Sequence, residues 1–596
     1  GGTLLSSENY LYDGSDRLIR VVETDGNNVV KHDFSWTYDA KDNVTALTES
    51  IGGKSFSYTY AYDDDSRPTS FGYGDVTKQI TYDGHGRSSG TTVKNGSRTV
   101  LGTGYAYRDV DSTYTTTQVK SVTNSYGGKT ANFNYTYDAN GNILSVSGAQ
   151  AVTYEYDDLG QLVWEKNATA GKAWNFTYDN GGNILSRTEY ACSGNGTVSG
   201  SGTTTSYTYG DAEWGDLLTA YDGEEITYDG IGNPLSYRGW TMNWQGGRQL
   251  ASMTKGSDTL SFVYNESGLR MSKTVNGVTH SYIWQGSKLA ADITDAYALY
   301  FHYDSSGDVI GFTRTANGTD TEYFYVKNFQ GDILKVITAT GTEAATYTYD
   351  AWGRVLTSTG DLADINPLRY RGYFYDTETG LYYLKSRYYD PEVSRFINPD
   401  AYASTGQGIL GANMFAYCGS SPNIFTDHGG TDAVILYDST FPGHIGALLE
   451  DSDGHWYHFY WGTSKGISRW LCAFGVEPLT WCVPYDGAID LTAINESQQF
   501  SGDYEETIYL SGDFSPVIET AKTPPGKYYL FSNNCSQVTL RILALADTKY
   551  SSLLDDASSA VFPMTAFKKL SKYRDYAFSS STSSSFYSLK NFDVVA

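Results

Sequence analysis

Apolar and polar positions along the first two-thirds of the chain alternate in short runs, punctuated by one recurring pattern, Tyr-Asp-x-x-Gly-x-(Leu/Ile/Val). Clear copies are YDANGNIL from Tyr137, YDDLGQLV from Tyr156, YDNGGNIL from Tyr178 and YDAWGRVL from Tyr349. Looser copies begin at Tyr12, Tyr38, Tyr62, Tyr82, Tyr228, Tyr264 and Tyr303. Adjacent copies are about 19 to 26 residues apart, the size of one supersecondary unit in a repeat array. Period-two alternation on either side of an Asp-Gly turn predicts a β-hairpin, with Gly supplying the positive φ. One hairpin cannot bury its apolar face alone, so neighbours must stack. The turn aspartate can accept backbone N–H groups and is expected to tie one turn to the next.

Composition agrees with a β-rich chain. Tyr (53) and Gly (63) are abundant among 596 residues, while Pro (13) and charged residues (18%) are scarce. Helical patterning is confined to the late part of the chain. The length allows several domains, each with its own core. A formal net charge of −26 counts against nucleic acid as the main partner, because phosphate binding needs a basic surface. No apolar run reaches the roughly 18 residues of a membrane helix, so no membrane span is expected. The opening GGTLLSSENYLYD already reads as a repeat and carries no signal-peptide pattern, so the chain is expected to begin inside a longer protein. Cys192, Cys418, Cys472, Cys482 and Cys535 are too scattered for a disulfide framework, and Cys535 is the candidate free thiol.

The Tyr-Asp copies resemble the YD repeats of Rhs (rearrangement hotspot), insecticidal Tc-toxin and teneurin proteins over roughly residues 1–365. That resemblance implies a spiralling β-hairpin sheet forming a shell. The stretch from Asn366 to Asp400, with GLYYLKSRYYDP followed by SRFINPD, is similar to the core segment that closes Rhs shells. It divides the chain into a repeat shell (1–365), a core and shell-closing segment (366–430) and a C-terminal domain (431–596). Arg371, Arg387 and Arg395 suit ion pairing with the shell or stacking on tyrosines. Family members carry a Pro-x-x-x-x-Asp-Pro-x-Gly motif after the core and cleave themselves there with paired aspartates. Here Pro422, Asp427 and Gly430 keep the frame, His428 replaces the second proline, and Asp400 matches the other acidic position. Asp400 and Asp427 are therefore self-cleavage candidates, with turn or capping roles as the alternative.

Residues 431–596 change character: Tyr-Asp copies stop, and three of the eight histidines fall between His444 and His458. DAVILYD, GHIGALLED and WYHFYWG read as strands. KYYLFSNNCSQVTLRILALA (Lys527 to Ala546) reads as a strand, an Asn-Asn cap and an amphipathic helix. Asn533 and Asn534 would cap that helix and Cys535 would sit in its first turn, where the helix dipole lowers a thiol pKa and free N–H groups can hold an oxyanion. His-x-Gly-x-x-Leu on a strand, a histidine one strand later and Asn-Cys opening a helix resemble circularly permuted NlpC-type and lecithin-retinol acyltransferase-like papain-fold enzymes. The resemblance implies Cys535 as nucleophile, His444 as base and His458 as the third polar residue. Gln537 departs from the acyltransferase pattern, which favours an amide over a lipid-acyl substrate. The same residues also suit buried packing roles, and His455 and His458 with Cys472 or Cys482 offer a weak zinc alternative. Trp456, Trp461, Trp470 and Trp481 suit a groove or a core. The region holds eleven basic and nineteen acidic side chains, which disfavours a nuclease.

The expected fold is thus mostly β: a spiral β-hairpin shell with a core plug, followed by a small α+β papain-like domain. The expected function is an Rhs-type polymorphic toxin, secreted or cell-surface, whose cysteine hydrolase cuts peptide or peptidoglycan-type amide bonds in a target cell. A cognate immunity protein and the chain's own shell are the expected partners, and no cofactor or metal is called for. The alternatives are a wall-associated adhesion protein with a non-catalytic binding domain, and a transacylase or deamidase on the same Cys-His site.

Overall fold

Each Tyr-Asp pattern folds into a turn that its own aspartate closes. The computed structural model describes residues 6–109, 115–400 and 413–427, together with the backbone of strands Tyr437–Asp438, His444–Glu450, Trp456–Gly462 and Leu479–Tyr485. In the repeat from Tyr137, Asp138 Oδ1 accepts the N–H groups of Asn140 and Asn142, both at 2.8 Å, and the Asn142 amide donates to Asp138 Oδ2 at 2.7 Å. Gly141 has φ = 90°, which favours glycine there. The paired backbone bonds recur at Asp39, Asp63, Asp83, Asp157, Asp179, Asp229 and Asp350. In all of these turns the residue four places on is Arg, Asn or Gln, and its side chain reaches the second carboxylate oxygen.

The expectation that aspartate links successive turns is corrected here. Its oxygens serve their own turn, and the tyrosine makes the link. Tyr156 Oη donates to the Ile143 carbonyl (2.8 Å), Tyr178 to Leu162 (2.6 Å) and Tyr349 to Ile333 (2.8 Å). Each acceptor is the first aliphatic residue after the preceding turn. Just before these tyrosines the strand register slips, at Thr136/Tyr137, Glu155/Tyr156, Thr177/Tyr178 and Thr348/Tyr349. Such bulges bend a strand and raise its twist, so their repetition curls the sheet.

Nineteen strands between Ser6 and Glu225 pair in chain order, each antiparallel to the next. The first three are β1 (Ser6–Tyr12), β2 (Leu18–Asp25) and β3 (Val30–Tyr38). Fourteen more between Thr227 and Thr359 form a second meander. The curled array returns onto its own beginning. Tyr58 Oη meets His302 Nδ1 at 2.9 Å across 244 residues, and Lys78 reaches Asp304 at 2.6 Å across 226. Gly127 meets Gly341 backbone to backbone, and a Cβ on Gly127 would stand 2.4 Å from the Gly341 carbonyl oxygen. His302 is fully buried in this crossing, stacked on Tyr73 with ring centroids 3.9 Å apart, and burial pulls its pKa down to about 3.

The core segment folds into four very short strands, Phe374–Asp376, Leu381–Tyr383, Tyr388–Asp390 and Arg395–Phe396. It lies in the same compact unit as the repeats. Tyr370, Tyr382, Tyr389 and Tyr417 are each at most 1% exposed and join Trp174 and Trp352 in one hydrophobic cluster. Helix among the described residues amounts to two 3-10 turns, Tyr370–Gly372 and Cys418–Ser420. No helix among them is long and apolar enough to cross a membrane.

Candidate functional site

The core segment docks on the last YD turn through three tyrosines. Tyr370 Oη donates to the Ala351 carbonyl (2.8 Å), Tyr389 to Trp352 (2.7 Å) and Tyr382 to Gly353 (2.9 Å). Three consecutive carbonyls of one turn are thus capped by buried hydroxyls. Gly353 has φ = 83°, and a Cβ there would lie 2.5 Å from the Tyr370 ring, so both backbone and space exclude a side chain. Behind the turn, Glu165 Oε2 accepts the Ala351 N–H at 2.7 Å. Burial, reinforced by the neighbouring Asp350 carboxylate, pushes the Glu165 pKa up to about 8.

Buried ion pairs fasten the rest of the segment. Arg270 Nη1 and Lys273 Nζ, from one repeat strand, converge on Asp376 at 2.7 and 2.8 Å, with all three side chains at most 4% exposed. Burial raises the Asp376 pKa, but the two cations more than reverse this and hold the carboxyl below its ordinary range. Arg238 pairs with Asp390 at 2.7 Å, and Tyr237 donates to the same oxygen at 3.0 Å. Arg187 pairs with Glu392. In these contacts the repeats supply the cations and the core segment the carboxylates.

Arg371 reverses the polarity. Its backbone N–H and Nη1 both reach Asp332 Oδ1 at 3.0 Å, and Nη2 donates to the Pro422 carbonyl at 2.6 Å. It adopts φ = 54°, unusual for a side chain this large, and the converging bonds hold it there. The guanidinium also lies 4.5 Å from the Tyr370 ring centre. Arg387 pairs with Asp427 at 3.0 Å and covers the Phe396 ring at 3.5 Å. Arg395 lies over Tyr209 and Phe415 and donates to the Tyr209 hydroxyl and the Asp216 carbonyl. Pairing with the shell and stacking on a tyrosine coexist in Arg371, whereas Arg387 pairs within the core segment and covers a phenylalanine.

Asp427 is buried, and besides its Arg387 pair its N–H donates to the Tyr373 hydroxyl at 2.9 Å. Asp400 is fully buried, with its N–H bonded to the Met414 carbonyl at 2.8 Å. His444 opens strand His444–Glu450, which pairs antiparallel with Trp456–Gly462. In that register His458 stands opposite Leu448, four positions along from His444. The adjoining strand Leu479–Tyr485 brings Cys482 opposite Phe459. Asn533, Asn534, Cys535 and the expected helix lie outside the described residues. The docking of tyrosines on residues 351–353 escaped the sequence reading, and its one visible signal was an apolar Trp352 inside a turn.

Hairpins curled by recurring bulges and closed by a buried aromatic segment define a β-repeat shell protein. Residues 5–168 and 74–413 match the family model for the teneurin YD-shell, more than half of the chain, and the chain belongs to that family. Among curated proteins it is similar to the tRNA3(Ser)-specific nuclease WapA of Bacillus spizizenii, 31% identical over 258 residues, which is 42% of this chain and 11% of the relative. It is also similar to the double-stranded DNA deaminase toxin A of Burkholderia cenocepacia, 25% identical over 48% of this chain and 21% of that protein. The chain therefore spans a small part of these relatives' length. The crystal structure of TcdB2-TccC3-Cdc42 shares the fold with a TM-score of 0.50 at 15% identity, covering 72% of this chain and 26% of that one.

Proposed function

We propose that this chain is the carrier and effector portion of an Rhs-type polymorphic toxin, secreted or displayed and delivered to a target cell. The three domains are the repeat shell (1–365), the core segment (366–430) and the effector (431–596). The observation that carries this reading is the buried lock between core segment and last repeat, placed just ahead of the point where the sequence changes character. Asp400 and Asp427 are the candidates for a self-cleavage that frees the effector. A cognate immunity protein would protect the producer.

For the effector we favour a cysteine hydrolase. His444 takes the Cys535 thiol proton, and the thiolate sulfur adds to an amide carbonyl carbon. The resulting oxyanion rests on N–H groups at the helix start that Asn533 and Asn534 cap. The C–N bond then breaks, His444 returns the proton to the leaving amine, and water activated by the same ring hydrolyses the thioester. In the strand register His458 lies opposite Leu448, about 13 Å along from His444, so a residue other than His458 has to orient the base. A second reading, an effector acting on nucleic acid, is supported by the named activities of the relatives. Those activities differ from one another, tRNA cleavage in one and DNA deamination in another, as expected if the shared stretch is the carrier. The acidic balance of residues 431–596 speaks against phosphate binding.

Expression of the whole chain in bacterial cells, with and without Cys535→Ala, separates the readings. The hydrolase reading expects growth arrest that the substitution abolishes. Arrest that persists with degraded or edited nucleic acid supports the second reading. Absence of arrest in both overturns the toxin assignment in favour of an adhesion or binding module.

A further inference from the structure

The start of the repeat array carries a cluster that the turn chemistry does not explain. In the register of β1, β2 and β3, Glu8 stands directly opposite Glu23, and Glu23 directly opposite His32. The three residues form one row across adjacent strands. Carboxylates placed directly opposite one another repel and destabilise a sheet unless a cation stands between them. One ligand atom from each residue lies within 4.8 Å of the other two.

Burial makes the cluster more than a surface coincidence. Glu23 is 1% and His32 3% exposed. Glu23 Oε2 and His32 Nδ1 stand 3.3 Å apart, within ion-pair range for a protonated ring but off hydrogen-bond geometry, and neither atom has another hydrogen-bond partner. Leaving two buried polar atoms so disposed is costly, and they face the same point. The other Glu23 oxygen is engaged by Lys31 at 3.3 Å, so Oε2 alone is directed into the row. The imidazole is stacked on Phe34 with centroids 4.5 Å apart, which fixes its plane. Tyr10 donates to Glu8 and restrains that carboxylate at the exposed end.

From this geometry we propose that Glu8, Glu23 and His32 form a divalent transition-metal site. Two carboxylates and one imidazole suit Zn²⁺ or a similar ion better than Mg²⁺ or Ca²⁺, which prefer all-oxygen shells. Metal–ligand bonds of about 2.0–2.2 Å place tetrahedral ligand atoms about 3.4 Å apart, the scale of the Glu23–His32 approach. Glu8, exposed, completes three protein ligands and leaves a position open to solvent. The site would pin the first three strands together. Its ligands come from three strands with no compact spacing, whereas the zinc alternative read from the sequence rested on His455 and His458.

Visible d–d absorption during Co(II) titration of the chelator-stripped whole chain tests the proposal. The expected result is that wild type binds one more equivalent than His32→Gln, and that Glu8→Gln, a change at an exposed position, weakens this equivalent at least ten-fold with an unchanged circular dichroism spectrum. The Glu8→Gln arm keeps the test decisive if His32→Gln fails to fold. Equal stoichiometry and affinity in wild type and Glu8→Gln, or no Co(II) signal in wild type, overturns the site.

Discussion

The YD turns and the core segment use the same residue types, Tyr, Asp and Arg, in opposite ways. In a turn, Asp and its partner are four residues apart, and in the early arginine-bearing turns they are partly solvated, as in Arg17–Asp13, whose side chains are 23% and 21% exposed. In the core segment the partners are distant in sequence and buried, as in Arg270–Asp376 across 106 residues with each side chain 1% exposed. A local pair loses little on folding and gains little, so Arg, Asn and Gln interchange at its second position. A buried pair is desolvated, and its members depend on each other. The comparison teaches that the array is built by redundancy and the plug by commitment.

The largest break in that contrast is expected from Asp376→Ala, which strands Arg270 in the interior and leaves Lys273 only its Glu378 partner. It should cost about 3–5 kcal/mol in a denaturant titration. Replacing the three together by Met, Met and Leu should recover most of the loss; failure to recover would mean that the charges do more than satisfy one another.

Gly353→Ala comes next, at about 3 kcal/mol, because it meets both a positive φ and the Tyr370 ring. The same change at Gly160, with φ = 78° and no atom within 4 Å of the new Cβ, should cost only about 1 kcal/mol. Equal losses at the two sites would show that the docking face tolerates a side chain.

The two regions should also differ in pH response. Glu165, behind the docked turn, has a pKa raised from 4.5 to about 8. Its contribution is complete below pH 4.5 and is lost as pH rises to about 8. His302, at the array's crossing, is depressed from 6.5 to about 3, so its contribution is complete above pH 6.5 and is lost as pH falls to about 3. Glu49 near that crossing, raised by burial to about 7, adds a loss towards base. Melting temperatures across pH 3–9 should therefore fall at both ends (about 3 and 9 bracket the two folded pKa values). Glu165→Gln should flatten the alkaline limb and His302→Gln the acid one.

The smallest effects belong to single repeats. Tyr178→Phe should cost about 1 kcal/mol by removing one link between hairpins. Asn43→Arg, which at a half-buried position only exchanges one accepted partner of a turn aspartate for another, should stay within about 0.5 kcal/mol. A large loss from the second would mean that the turns are not interchangeable.

Much of this was legible in the chain. Tyr137-Asp138 and Gly141 announce a turn because everything the turn needs lies within five residues. The alternation around it announces two strands for the same reason. The aromatic segment that begins at Asn366 stood out by its density of tyrosine and arginine. The tyrosine hydroxyl's acceptor was not visible: Tyr178 finds Leu162 only once two hairpins stack, and a motif does not state which carbonyl lies beneath it. Nor could the row Glu8, Glu23 and His32 be found by spacing, since it exists only in the register of three strands.

The sequence by itself determined the hairpin, its turn and its repetition, because these rest on short-range torsions and hydrogen bonds. Only the tertiary structure decided that the array comes back against residues some two hundred positions earlier, that Arg270 pairs with Asp376, and that three tyrosines cap residues 351–353. Those contacts are selected by the accumulated curl of many bulged strands and by the need to neutralise charge once it is buried. Neither condition is written at any one position.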